Sequence, residues 1–281
     1  MEELRGLPVA KAIVAAAQEK IEACKSQGVV PKLQVIRVGN REDDLSYERG
    51  IYKRFEGAGA VVSTKELPED VTQEALEAAI AEANADKTVH GILMFAPLPK
   101  HLDEVKAKET IAPAKDMDCM TNENVAHLFK GDGKGYAPCT PQAVMEILDY
   151  YGYDLTGKKA VVIGRSMVVG KPLAMLLLQK NATVTICHTR TKELAKTCQQ
   201  ADILIAAAGV AKMVEETYVS AGQILLDVGI HVVEDKLCGD VNRESVEEIV
   251  EALTPVPGGV GSVTTSVLLK HTVEAAWKSF A

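Results

Sequence analysis

The chain has 281 residues, 47% hydrophobic and 25% charged, with a formal net charge of −8. The apolar content excludes intrinsic disorder and low-complexity classes, and the length predicts two domains of ordinary size. The acidic balance argues against a nucleic-acid partner, which selects basic surfaces, but a local basic pocket can still take a small anion.

In chain order, the opening residues 1–13 lack a basic stretch followed by an apolar core, so no signal peptide is expected. Ile13, Val14, Ala17 and Ile21 recur at helical spacing and predict a helix over Pro8–Lys25. Leu33–Val38 reads as a buried strand, Leu45–Ala58 as a helix ending near Gly57 and Gly59, and Ala60–Leu67 as a second strand. Glu74–Asn84 reads as a helix with Asp70 or Thr72 as its cap, and Val89–Phe95 as a third strand stopped by Pro97-Leu98-Pro99. Strands alternating with helices predict parallel βαβ units. A looser stretch follows, and the glycines of 130–135 rule out a helix there. Thr140 as cap and Pro141 as first helical residue predict a helix to about Tyr151 that links the two halves.

The alternation then restarts. Strands are predicted at Lys159–Ile163, Thr183–Cys187, Ile203–Ala207 and Gln223–Val228, with a helix at Lys171–Lys180. The last segment, Thr264–Phe280, reads as an amphipathic helix that packs back on the first half, with Trp277 as a packing anchor. No apolar run reaches about 18 residues, so neither a membrane span nor a membrane partner is expected. Cys24, Cys119, Cys139, Cys187, Cys198 and Cys238 form no C-x-x-C pair, and the histidines show no ligand spacing. The cysteines read as reduced thiols of a cytoplasmic protein, and no metal site is expected.

The first strand of the second half runs into Gly164-Arg165-Ser166 and on to Gly170 before a helix. A strand, a glycine turn and a helix N-terminus present backbone N–H groups and a positive dipole end to a phosphate. The next strand ends Cys187-His188-Thr189-Arg190-Thr191, without the acid that binds the ribose hydroxyls of NAD. Arg165, Arg190 and Thr189 suit a 2′-phosphate instead, so NADP is expected ahead of NAD.

These motifs resemble those of the methylenetetrahydrofolate dehydrogenase/cyclohydrolase (FolD-type) family. The resemblance spans essentially the whole chain. It rests on Gly164-Arg165-Ser166, Val169-Gly170-Lys171-Pro172, Pro138-Cys139-Thr140-Pro141, Asp227-Val228-Gly229-Ile230, Gly239-Asp240-Val241 and, most specifically, Thr254–Gly261. It implies an α/β protein of two domains flanking a cleft. One is an N-terminal folate-binding catalytic domain, residues 1–139 completed by a C-terminal helix at 262–281. The other is a Rossmann-type NADP-binding domain over 140–261. It further implies cofactor contacts at Gly164, Arg165, Ser166, Thr189 and Ile230, folate contacts at Tyr47, Asp118, Pro257, Gly258 and Gly259, and a homodimer formed through the cofactor domain.

Two positions depart from the family pattern. Its catalytic Tyr is followed four residues later by Lys, a spacing that makes neighbours on one helix face. Here Tyr47 is followed by Ile51, with Lys53 and Arg54 nearby on other faces. The Gln expected before the Leu-Pro-Leu-Pro turn is Phe95. Lys115-Asp116-Met117-Asp118 keeps the family's carboxylate for the pterin amino group. Hydride transfer needs positioning more than a base, whereas hydrolysis of the methenyl product needs a group that moves protons. The expectation is therefore an NADP-dependent methylenetetrahydrofolate dehydrogenase with weak or absent cyclohydrolase activity. The alternative is the full bifunctional enzyme. A non-catalytic folate or nucleotide sensor is the reading from a different class, and tight binding without turnover would distinguish it.

Overall fold

In the computed structural model, which describes residues 1–280, the elements run as follows. The chain opens with β1 (Glu2–Glu3), α1 (Gly6–Ser26), β2 (Lys32–Val38), α2 (Glu42–Ala58), β3 (Val61–Leu67), α3 (Gln73–Ala85) and β4 (Gly91–Met94). It continues through α4 (Glu104–Thr110), α5 (Asn122–Lys130), α6 (Cys139–Tyr150), β5 (Lys159–Ile163), α7 (Gly170–Gln179), β6 (Thr183–Cys187), α8 (Leu194–Gln199) and β7 (Ile203–Ala206). It closes with β8 (Ile224–Asp227), β9 (His231–Val233), β10 (Lys236–Cys238), α9 (Arg243–Val246), β11 (Ala252–Leu253) and α10 (Thr264–Lys278).

The chain divides into two compact units, one of residues 12–137 with 265–281, the other of 1–11 with 138–264. The first holds a parallel sheet in the order β3-β2-β4, extended by a single parallel bridge between Ile92 and Asp116. The second holds a parallel sheet in the order β1-β11-β8-β7-β5-β6, and β9 and β10 form a separate antiparallel hairpin. In each sheet the chain lays one strand on one side of a central strand and the next on its other side: β3 and β4 around β2, β6 and β7 around β5. That reversal opens a crevice beyond the carboxyl ends of the strands.

Four expectations change. The opening residues belong with the second unit, not with a domain over 1–139. Glu2 and Glu3 add a strand beside Ala252 and Leu253, and the Gly6 N–H donates to the Gly258 carbonyl. Thr140 is not a cap: α6 starts at Cys139, two residues before the expected Pro141, with Pro138 ahead of it, and the Pro138 carbonyl accepts from the Gln142 N–H. The stretch read as loose contains α4 and α5, capped by Asp103 and Thr121 and too short for periodicity to reveal. Of the two caps considered for α3, Thr72 is the one used, accepting from the Ala75 N–H. Trp277 remains 38% exposed and meets Phe280 edge to face, so it does not anchor a core.

One core lies between β2, β4, α3 and α4, with Ile36, Leu76, Ile80, Met94 and Ala107 fully enclosed. Asp116 is buried at its edge. Its carboxylate accepts from the Met120 and Thr121 N–H groups, the Thr121 hydroxyl and the Asn124 amide. Without that acceptor the donors are stranded away from water. Asp116→Ala is therefore expected to lower the unfolding free energy by about 3 kcal/mol or more, read as a shift of the urea midpoint. An unchanged midpoint contradicts this account.

Candidate active site

Beyond β5 the backbone turns sharply at Gly164, whose φ is +130°. A Cβ at Gly164 would fall on the Ala207 carbonyl, and one at Gly170 would fall on the Gly164 carbonyl. Only glycines allow strand, turn and helix to pack this closely, which leaves the first N–H groups of α7 at the crevice. The Gly164 N–H donates to the Cys187 carbonyl, so the turn and the end of β6 are neighbours. Arg165 and Ser166 from the turn and Thr189 and Arg190 from beyond β6 are all solvent-exposed. Among the described residues neither arginine is ion-paired. The Ser166 hydroxyl accepts from the Val169 N–H and holds the turn's shape. His188 is structural, its Nδ1 accepting from the Arg190 N–H. Two exposed guanidinium groups beside a helix N-terminus, with no carboxylate at the strand end, are a donor set that fits a phosphorylated dinucleotide.

Two carboxylates whose roles sequence reasoning missed fix the neighbouring loops. Asp240 accepts from the N–H groups of Ala208, Gly209 and Val210 at 2.6, 2.9 and 3.0 Å, and contacts the His231 Nε2 at 2.7 Å. Asp227 accepts from the N–H groups of Gly229, Asp240 and Val241 at 2.9–3.0 Å. Side chains at Gly229 and Gly239 would strike these carboxylates, which explains the two glycines of the DVG and GDV motifs. The only signal in the sequence was the acid next to a glycine. The Thr254 hydroxyl accepts from the Asp227 N–H at 2.7 Å and leads into Pro257, Gly258 and Gly259. Gly258 has φ +103°, and the Gly259 carbonyl accepts from the Ser262 hydroxyl. Ile230 is 60% exposed, and a Cβ at Gly261 would come within 2.9 Å of its Cδ1. The fold thus brings Ile230 to the Pro257–Gly259 loop.

Burial pushes the Asp227 carboxyl up to about 6, against the lowering effect of its backbone N–H donors. The folded protein then holds this proton more tightly than the unfolded chain does. The Asp227 contribution to stability is greatest below its ordinary value near 3.8, falls as pH rises to about 6, and is constant above that. A carboxyl-carbon NMR titration should place the Asp227 midpoint near 6. A midpoint near the ordinary value contradicts the burial argument.

In the other unit, α2 follows β2 and its first turns stand at the carboxyl end of the sheet. Tyr47, 36% exposed, lies 5.9 Å from Phe95 between ring centroids at a 45° tilt. Phe95 directly follows β4 and is 7% exposed, while Ile51, one turn after Tyr47, is 0% exposed. The wall beneath Tyr47 is therefore apolar. Lys53 is exposed and lines a shallow surface cavity with Glu48, Arg49 and Glu56, away from this face, so it does not reach back to the vacant lysine position. Asp118 is partly buried in the loop held by Asp116, and its N–H donates to the Asp116 carboxylate at 3.4 Å. The strand bridged by that loop is β4, which ends at Met94, directly before Phe95. Among the described residues no cluster of His, Cys, Asp and Glu is arranged to hold a metal ion, and no helix is long and apolar enough to cross a membrane.

Comparison with known proteins places this geometry in a family. Residues 4–118 match the catalytic domain of tetrahydrofolate dehydrogenase/cyclohydrolase, and residues 138–280 match its NAD(P)-binding domain. The bifunctional protein FolD of Carboxydothermus hydrogenoformans is 54% identical over 277 residues, covering 98% of this chain and 96% of the relative. The crystal structure of the bifunctional FolD methylenetetrahydrofolate dehydrogenase/cyclohydrolase from Campylobacter jejuni superposes with a TM-score of 0.96 at 40% identity, covering 98% of each chain. That of the Trypanosoma brucei dehydrogenase-cyclohydrolase complexed with NADP and an inhibitor superposes with a TM-score of 0.91 at 37% identity, covering 98% of this chain and 96% of that one. Matched over both its halves and nearly its full length, the chain belongs to the tetrahydrofolate dehydrogenase/cyclohydrolase family.

Proposed function

We propose that the protein oxidises 5,10-methylenetetrahydrofolate to 5,10-methenyltetrahydrofolate with NADP as the hydride acceptor. The observation that carries the cofactor choice is the glycine turn at Gly164, flanked by Arg165 and Arg190 and lacking a strand-end acid. The NADP complex of the Trypanosoma brucei relative supports the same choice. Gly164, Arg165, Ser166, Thr189, Arg190 and Ile230 hold the cofactor, which when bound takes up the hydride.

The methylene C–H bond breaks, both electrons leave with the hydrogen, and the two flanking folate nitrogens share the resulting positive charge. No protein base is needed for that step. The residues position and exclude water instead. Tyr47 packs against the folate ring, Asp118 accepts from the pterin amino group, and Pro257, Gly258 and Gly259 let backbone approach the substrate closely.

The second family activity is hydrolysis of the methenyl product. The names of the relatives carry both activities, and the likeness along the whole chain favours the bifunctional reading. One local observation favours a slow second step: Ile51 and Phe95 are buried and apolar where the family places an amine and an amide, and neither can move a proton. The reading therefore puts the dehydrogenase first and hydrolysis as the weaker activity of the same site. The protein acts in the cytoplasm as a homodimer. The exposed Val232 and Leu237 of the β9–β10 hairpin support self-association through the cofactor-binding unit.

Purified protein given methylenetetrahydrofolate and NADP is expected to form NADPH and methenyl product in step. Loss of the methenyl species well above its rate in buffer would establish full bifunctionality. Ile51→Lys combined with Phe95→Gln is expected to raise hydrolysis about tenfold or more, measured by decay of methenyl absorbance. No gain would show that the site lacks more than these two groups.

A further inference from the structure

Arg54 is the one arginine that burial alone perturbs: it is partly buried, and loss of solvent pushes its guanidinium below the ordinary value. Its single hydrogen bond among the described residues is a long one, from Nε to the Thr265 hydroxyl at 3.5 Å. Arg5, Arg37, Arg41 and Arg243, by contrast, are all ion-paired. A cation withdrawn from water without a carboxylate is costly, so such a group is completed by something else.

Its position indicates what completes it. The expectation that Arg54 lies on another face of α2 is corrected: it follows Tyr47 by seven residues and Ile51 by three, a spacing that puts it on their face. A helical side chain leans over the turn before its own Cα, which here is the turn of Gly50 and Ile51. Gly50 offers no side chain to fill that space: a Cβ there would meet only the Thr265 methyl, at 3.9 Å. The guanidinium therefore leans toward the turn of Gly50 and Ile51 on the side of α2 that meets Thr265, one turn along the same face from Tyr47, while Lys53 lines a separate surface cavity.

We propose that Arg54 is a folate-contact residue, donating hydrogen bonds from its guanidinium to an oxygen acceptor of the bound folate. This rests on the folate reading of the site. A carbonyl on the folate ring system and the carboxylate tail present the same acceptor chemistry, and the burial of Arg54 beside Ile51 favours the ring. Because an arginine stays protonated through the working pH range, it holds substrate without shuttling protons. It thus supplies the cation of the site while leaving hydrolysis without a base.

The test compares wild type with Arg54→Met, Arg54→Lys and, as a control on the outer face of α2, Lys53→Met. Binding of tetrahydrofolate and of NADP is measured by calorimetry, and KM and kcat by NADPH formation. A charge-assisted hydrogen bond predicts that Arg54→Met weakens tetrahydrofolate binding by about tenfold or more, with NADP binding unchanged. Arg54→Lys should fall between the two, and Lys53→Met should match wild type. The folate KM should rise more than kcat falls, which a merely structural role would not produce. Tetrahydropteroate, lacking the glutamate tail, separates the two acceptors: an equal loss places the contact on the ring, and a loss confined to tetrahydrofolate places it on the tail.

Tetrahydrofolate binding by folded Arg54→Met within twofold of wild type overturns the proposal. Should Arg54→Met fail to fold, Arg54→Lys decides. A raised folate KM with an unchanged NADP KM supports the contact, and unchanged constants overturn it. If the wild type binds tetrahydrofolate but reduces no NADP, the functional reading fails, and the Arg54 contact is still judged by the binding data.

Discussion

A parallel strand can only be followed by another parallel strand if the chain climbs back to the same end, and in this protein almost every return is a helix or a loop that starts where a strand has just finished. All the residues after strand ends therefore gather on one side of each sheet. The chain reverses direction around β2 in one unit and around β5 in the other, so in each a crevice opens where consecutive connections part. Tyr47 and Phe95 follow β2 and β4, Gly164–Ser166 follow β5, Thr189 and Arg190 follow β6, and Ile230 follows β8. The candidate residues come from distant parts of the sequence, yet most share this single relation to the sheets.

Loops gathered in this way still have to be held in one shape, and buried carboxylates do it. Asp116 ties together the loop that carries Asp118. Asp227 and Asp240 tie the ends of β7 and β8 to the segment before α9 through six backbone N–H groups. A carboxylate is suited to this because it accepts several bonds at once in an interior where unpaired N–H groups are costly. Glycine is required at 229 and 239 because the Asp240 and Asp227 carboxylates occupy the space a Cβ would take. The motifs Asp-Val-Gly and Gly-Asp-Val are thus mainly architectural, and their effect on Ile230 is indirect.

The face of α2 shows how charge can be redistributed within one helix. The lysine position is closed by Ile51, the partner position by Phe95, and the cation that remains stands one turn further along. Moving from an amine to a guanidinium keeps the attraction for an oxygen acceptor and removes the exchangeable proton. Hydride transfer tolerates that change because its positive charge is carried by the folate nitrogens, whereas attack by water does not.

Strand-helix alternation, the glycine turn, the missing strand-end acid, the family and the apolar replacements at 51 and 95 were all legible in the sequence. Each is a local pattern or spacing whose physical meaning does not depend on distant residues. The tertiary structure alone decided three other matters. Residues 1–11 join the second unit because β1 finds its partner at β11, some 250 residues along the chain. Asp116, Asp227 and Asp240 become loop anchors because folding buries them among N–H donors, those of Asp116 within its own loop and those of Asp240 some 30 residues away in sequence. Arg54 becomes conspicuous because burial removes its water and brings no carboxylate. Whether a charge is solvated, paired or waiting for a ligand depends on what packs around it in three dimensions, and no spacing along the chain encodes that.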